Sequence, residues 1–194
     1  MTKKNIDRRH LLTAATSFIA GAGVVGAATP FVQSWMPSAR ARSSGAPVRV
    51  DLSRIENGSM VTVAWQGKPV FVLKRTKDNI SNLRDESHQS ELRDAESIVN
   101  HQPDYARNEL RSIRPEIFVA VGICTHLGCI PNLEQNGQLN ASHGRYYCAC
   151  HGSIFDLAGR VLLNVPASTN LIIPPHTYVR DDLLEIGSDA QTTF

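Results

Sequence analysis

The sequence lacks the features of several large functional classes. Its 194 residues carry a formal net charge of only +2, so no strong positive field is available for binding nucleic acids or other polyanions. It has no internal repeat, no heptad run and no glycine-rich phosphate loop. Cysteine is limited to four residues, and the length suits one domain with a core of its own.

Charge is also missing from one long stretch near the N-terminus. Residues 11–36 contain no charged side chain, and about 20 apolar residues are enough for a helix to cross a bilayer. We therefore predict a transmembrane anchor over residues 11–36, in which Pro30 is expected to kink or end the helix. The alternative is a cleaved signal peptide ending near Ala39-Arg40-Ala41, although signal peptides have shorter apolar runs of about 7–15 residues.

Residues 1–10, "MTKKNIDRRH", place a basic segment before the anchor. More basic charge precedes the apolar run than follows it, which predicts a cytoplasmic N-terminus and a C-terminal domain on the other side. The pair Arg8-Arg9 before an apolar run also loosely resembles a twin-arginine export signal. A disulfide can persist in the outer compartment that this orientation implies.

After the anchor, small residues and two bounding prolines in residues 37–47 predict a tether, either a passive linker or a flexible hinge. Residues 48–194 are predicted to form an all-β domain, an antiparallel sandwich or partial barrel. Its strand-like segments are short and separated by tight turns. They read "VRVDLSRI", "MVTVAWQGKPVFVLKR", "EIFVAVGIC", "RYYCAC", "SIFDLAGRVLL" and "TYVRDDLLEIG".

Residues 77–116 interrupt this pattern, because they are rich in charge and poor in β-branched residues. We predict one short helix near residues 91–99 inside a long insertion. The insertion is either a solvated loop or a docking surface for a partner.

Two six-residue boxes hold all four cysteines. Residues 124–129 read "CTHLGC" and residues 148–153 read "CACHGS". Each box supplies a cysteine and a histidine at close spacing, Cys124 with His126 and Cys148 with His151. Two thiolates and two imidazoles fit either a four-coordinate zinc ion or a two-iron cluster. The remaining two cysteines, one in each box, can form a disulfide if the boxes face each other.

The other residues of the boxes suit a metal centre. Gly128 and Gly152 allow tight turns with positive φ. The hydroxyl of Ser153 can donate a hydrogen bond to a cluster sulfur, and Leu127 can shield the centre from water. Such contacts tune a reduction potential.

These paired boxes resemble those of Rieske [2Fe–2S] proteins in the version that carries an extra disulfide. The basic start, anchor, tether, charged insertion and the loop near "NVPASTNL" together resemble the iron–sulfur subunits of bacterial ubiquinol–cytochrome c reductase, the cytochrome bc1 complex. The resemblance implies one [2Fe–2S] cluster, with Cys124 and Cys148 on one iron, His126 and His151 on the other, and a Cys129–Cys150 disulfide. It places the cluster-binding part of the domain at about residues 120–170.

The same resemblance implies a function. His151 would be the catalytic residue that binds ubiquinol and takes its proton, and the electron would pass to cytochrome c1. Cytochrome b and cytochrome c1 would be partners in a dimeric complex of the bacterial inner membrane, with this domain on the periplasmic side. Alternatives are a Rieske subunit of another exported oxidoreductase, of the arsenite oxidase type, or a zinc-stapled structural module.

Three positions depart from the pattern of this family: Ala149 where proline is common, Phe155 where tyrosine is common, and Ser168 where a second proline is common. The remaining histidines have no paired cysteine or histidine at ligand spacing and are expected to be solvated. They are His10, His88, His101, His143 and His176.

The Phe155 position gives a first prediction. A tyrosine there is implied to donate a hydrogen bond to a ligand sulfur, and a phenyl ring cannot. We expect Phe155→Tyr to raise the midpoint potential in a redox titration, because such a bond stabilises the reduced, more negative state. A potential that barely changes would contradict this account.

Overall fold

The computed structural model describes residues 7–38, 45–134 and 144–189. The chain divides into two compact units, Met1–Ser43 and Ser44–Phe194. The predictions for His143 and for the possible cleavage site at residues 39–41 lie outside the described residues, as does most of the tether.

The first unit contains one long helix, α1 (Arg8–Ser34), which is exposed along its whole length. Among the described residues it is the one helix long and apolar enough to cross a membrane. Pro30 lies inside the helix and does not end it. The hydroxyls of Thr13, Thr16 and Thr29 donate hydrogen bonds to backbone carbonyls one turn earlier, so these polar groups are satisfied without water.

The second unit is a β domain, as predicted. Its described strands form three antiparallel three-stranded sheets, with the orders β1-β9-β8, β2-β3-β4 and β5-β6-β7. The strands are β1 (Val48–Asp51), β2 (Met60–Trp65), β3 (Lys68–Lys74), β4 (Ile117–Val121), β5 (Asn132–Glu134), β6 (Arg145–Cys148), β7 (Ser153–Asp156), β8 (His176–Arg180) and β9 (Leu183–Ile186). Each predicted segment contains at least one of them, and β5 was not predicted.

The β2-β3-β4 sheet is the middle layer of two hydrophobic cores. Because side chains alternate along a strand, Val70 and Val72 of β3 pack into the core shared with β1 and β9, whereas Phe71 and Leu73 pack into the core shared with β6 and β7. Strands β3 and β4 are therefore apolar on both faces, which explains their continuous hydrophobic runs.

The helix predicted near residues 91–99 is wrong. The insertion instead contains α2 (Lys77–Leu83) and α3 (Glu86–Gln89). A capping box between Thr76 and Asn79 starts α2, and the Asp85 side chain caps α3. Residues 91–99 cannot continue as a helix, because Leu92 pairs in a bridge with Leu162 and Ser97 has a φ of 51°.

The insertion is also not a simply solvated loop. Arg111 is fully buried, and its guanidinium donates to the carbonyls of Ala158, Gly159 and Leu171. Arg75 enters the same region from the end of β3, where it donates to Leu110 O, Leu157 O and Ser112 Oγ. The insertion is thus fastened to the segment that follows β7.

Asp156, at the end of β7, is a buried carboxylate in this region. It accepts hydrogen bonds from Arg160 Nε at 2.7 Å and from His88 Nε2 at 3.2 Å. Burial raises its pKa, but the Arg160 guanidinium and the His88 bond outweigh burial and lower the pKa to about 2. Both His88 and His176 are buried, so the expectation that they are solvated is wrong.

Asp156→Asn should destabilise the fold by about 3–5 kcal/mol at pH 7, because it leaves the buried Arg160 without its counter-charge. A group with a depressed pKa stabilises the fold above its ordinary pKa of about 4, and this contribution is lost as the pH falls toward 2. In urea unfolding, the difference between parent and variant should therefore shrink between pH 7 and pH 3.

A matched control is Asp104→Asn, which removes an exposed carboxylate whose ion pair with Arg107 spans 3.5 Å. We expect little change in the free energy of unfolding. If both variants lose the same stability, the account of Asp156 is wrong.

Candidate metal centre

The first box is a closed loop that follows β4. The N–H of Cys124 donates to Cys129 O at 2.7 Å, and the N–H of Gly128 donates to Cys124 O at 3.0 Å. Gly128 has a φ of 86°, which confirms the predicted positive-φ turn. Where the chain leaves β4, Gly122 lies so close to the ring of Phe71 that a side chain would overlap it.

The second box is the tip of the β6–β7 hairpin. Cys148 and Ser153 are paired across the hairpin, and the N–H of Gly152 donates to Cys148 O at 2.9 Å. Gly152 has a φ of 77°, again as predicted. A short hairpin connection fixes where His151 emerges, and its side chain is exposed.

The four cysteines fall into two pairs. Cys129 and Cys150 form a disulfide, which confirms the predicted cross-link. Cys124 and Cys148 are free and buried. Burial raises the pKa of the Cys148 thiol, so a positive metal centre is needed to favour its thiolate. The Sγ atoms of Cys129, Cys148 and Cys150 lie within 4.8 Å of one another.

The two predicted histidine ligands are also brought together. The rings of His126 and His151 have centroids 4.8 Å apart and are nearly perpendicular. His126 Nδ1 is buried and has no hydrogen-bond partner in the described part of the chain. A buried nitrogen without a partner is costly unless it binds something, so this atom suits a metal ligand. The donor set of two thiols and two imidazoles therefore fits the predicted centre.

The other predicted residues near the boxes differ in burial. Ser153 is fully buried, and its Oγ accepts a hydrogen bond from the N–H of Ala167 at 3.0 Å. Leu127 is 71% exposed, so its shielding of the centre from water stays a prediction. Phe155 is fully buried in the core beside its strand partner Tyr146.

Some contacts of the site were missed by the sequence reasoning. Residues 162–169, which we call the covering loop, contact both boxes. Thr125 Oγ1 donates to Thr169 O at 2.6 Å, and Ala167 contacts Ser153 as described above. The position of Thr125 between two predicted ligands was the available signal, but its partner is 44 residues away.

Known protein families and relatives match almost the whole chain. Residues 48–175 match the family described as "Rieske [2Fe-2S] domain", and residues 1–38 match "Ubiquitinol-cytochrome C reductase Fe-S subunit TAT signal". The chain is similar to the ubiquinol-cytochrome c reductase iron-sulfur subunit of Allochromatium vinosum, with 48% identity over 189 residues, which cover 95% of this chain and 90% of that protein. The protein of the same name from Blastochloris viridis is 37% identical over 181 residues, 93% of either chain.

Among solved structures, a chain described as "Hyperthermophilic respiratory Complex III" aligns with 89% of this chain and 98% of its own length. Its sequence is 24% identical and the TM-score is 0.48.

Removing the disulfide should loosen this part of the fold. The double variant Cys129→Ala/Cys150→Ala should lower the free energy of unfolding by about 3 kcal/mol, because the bond closes a loop across a sequence separation of 21 residues. Urea unfolding of the full chain measures this. In a thiol reductant the free energy of unfolding of the parent should fall by the same amount, whereas that of the double variant should not change. Equal stability of parent and double variant would contradict the expected role of the bond.

Proposed function

The chain belongs to the Rieske [2Fe–2S] family and, more narrowly, to the iron–sulfur subunits of ubiquinol–cytochrome c reductase, so we propose that it carries electrons from ubiquinol to cytochrome c1 in the cytochrome bc1 complex. The observation that carries the proposal is the division of the four cysteines into a disulfide-bonded pair and a free pair. Once Cys129 and Cys150 are paired, the two boxes retain two buried thiols and two imidazoles whose rings are adjacent.

We assign the ligands accordingly: Cys124 and Cys148 hold one iron, and His126 and His151 hold the other. A [2Fe–2S] cluster held in this way supplies one-electron redox chemistry, in a range of about −150 to +300 mV for Rieske centres. The two boxes hold the four side chains through backbone hydrogen bonds, a hairpin and the disulfide. Gly128, Gly152, Ser153 and Leu127 complete the surroundings.

His151 is the residue that we propose meets the substrate. Its ring is exposed, whereas the Nδ1 atom of His126 is buried. A metal-bound imidazole gives up its second N–H proton more readily than a free one, so its outer nitrogen can be a hydrogen-bond acceptor for a quinol hydroxyl. His151 would hold that hydroxyl and take its proton. Oxidation of ubiquinol is thereby coupled to proton release.

The chain is a membrane-anchored member of the family, with α1 as the anchor. We propose that the N-terminus is cytoplasmic and that the β domain lies on the periplasmic side of the inner membrane. The basic residues before the apolar run and the disulfide both support this orientation. Cytochrome b and cytochrome c1 are the proposed partners, in a dimeric complex, and residues 37–47 are the proposed hinge.

An electron paramagnetic resonance spectrum of the reduced protein, together with its iron content, tests the cluster assignment. We expect two irons per chain and a rhombic signal, and we expect His126→Gln and His151→Gln each to abolish that signal. His10→Gln, in α1, is the control that should retain it. One bound zinc ion without a signal would show a structural zinc module instead. Purification with a molybdenum subunit, rather than with b- and c-type haem subunits, would show the arsenite oxidase alternative.

A further inference from the structure

Asn170, at the end of the covering loop, is only 2% exposed and makes three side-chain hydrogen bonds. Its Oδ1 accepts from the N–H of Val161 at 2.8 Å. Its Nδ2 donates to Asp94 O at 2.9 Å and to Ser97 Oγ at 2.9 Å. Since an amide group has two N–H donors, both are used, and a flipped amide would place its oxygen against a carbonyl.

The bond from Val161 closes the covering loop at its base. Val161 and Asn170 are the two residues that flank residues 162–169, so the bond between them joins the ends of the loop. One step further out, the N–H of Leu171 donates to Gly159 O at 2.8 Å, and the buried Arg111 guanidinium bonds the carbonyls of the same two residues.

The insertion holds the other side of Asn170. The Asp94 carboxylate accepts from the N–H groups of Ile98 and Val99, which fixes the turn that presents Asp94 O and Ser97 Oγ. The covering loop is therefore tied through one amide side chain to a segment about 70 residues earlier in the chain.

At its far side the covering loop reaches Ser153. The N–H of Ala167 donates to Ser153 Oγ, and both residues are fully buried. A backbone N–H cannot accept a hydrogen bond, so the hydroxyl proton of Ser153 must point elsewhere. Because Ser153 is paired with Cys148 across the hairpin, the two side chains lie on the same face.

We propose that Asn170 is a positioning residue for the redox centre: it fixes the covering loop, so that Ala167 N–H orients the Ser153 hydroxyl toward a sulfur of the cluster. This inference rests on the proposed function, since it assumes a cluster at the Cys148 side of Ser153. It assigns a role to the insertion as well, because the turn at residues 94–99 is what holds Asn170 in place.

A double-mutant cycle in the full-length protein tests the proposal. Midpoint potentials are measured by redox titration for the parent, Asn170→Ala, Ser153→Ala and the combined variant. A hydrogen bond to a cluster sulfur raises the potential, so Ser153→Ala should lower it. Asn170→Ala should lower it by part of that amount, and the combined variant should have the potential of Ser153→Ala alone.

Asn79→Ala is the matched control. Asn79 is also a buried asparagine, at 5% exposure, and its side chain bonds only the start of α2 in the hydrogen bonds described. It should lower the melting temperature without changing the potential. Deuterium exchange of the covering loop, followed by mass spectrometry, should accelerate in Asn170→Ala and not in Asn79→Ala.

If Asn170→Ala lowers the potential equally with and without the Ser153→Ala substitution, the proposal is overturned, and the absence of any fall overturns it too. If Asn170→Ala does not retain the centre, the cycle is run with Ser97→Gly, which removes one acceptor at a residue whose φ of 51° suits glycine. The same outcomes then decide. A parent protein without a reducible cluster would contradict the proposed function. A reducible centre whose midpoint potential does not change in these variants would contradict this inference alone.

Discussion

A buried guanidinium group is costly unless acceptors inside the protein take up most of its N–H donors, and this requirement organises the chain around the metal centre. In Arg75 and Arg111 the terminal nitrogens have acceptors, whereas Nε has none among the described residues. Burial lowers the pKa of both Arg75 and Arg111 to about 10, yet both remain charged at neutral pH. Arg160 has the carboxylate of Asp156 as a partner, whereas Arg75 and Arg111 depend largely on backbone carbonyls. Those carbonyls stay in position only while the insertion and the segment after β7 keep one conformation. The buried arginines thus hold the insertion and the segment after β7 together as one rigid part of the domain.

The sheets contribute a different kind of rigidity. Strands β3 and β4 are buried on both faces, so the point at which the chain leaves β4 for the first box is held by two cores at once. The second box is also positioned locally, because it is the tip of the β6–β7 hairpin. The first box therefore relies on long-range packing, whereas the second combines a short turn with contacts to the core and the covering loop.

Local patterns in the sequence were enough to predict much of this. The apolar run predicted α1, alternation predicted most strands, and the glycines of the boxes predicted two positive-φ turns. The insertion could not be predicted in the same way. Its composition indicates solvation, but Arg111 and His88 are buried because their partners come from residues 156–171, which no local pattern identifies. The helix at residues 91–99 failed for a related reason, since the bridge to Leu162 overrides local helix propensity. For the site, the sequence was enough to predict the residues of the two boxes from their types and spacings. It was not enough to predict the contacts of the covering loop.

The two pairs of cysteines differ in how deeply the fold buries them. Cys124 and Cys148 are buried, whereas Cys129 is half-buried and Cys150 is exposed. In a reducing compartment all four would be thiols, and all four would be candidates for iron. The fold separates an inner pair, protected from soluble oxidants, from an outer pair that an oxidant can reach. Depth in the folded chain thus separates the proposed ligand pair, Cys124 and Cys148, from the pair that oxidation joins in the disulfide.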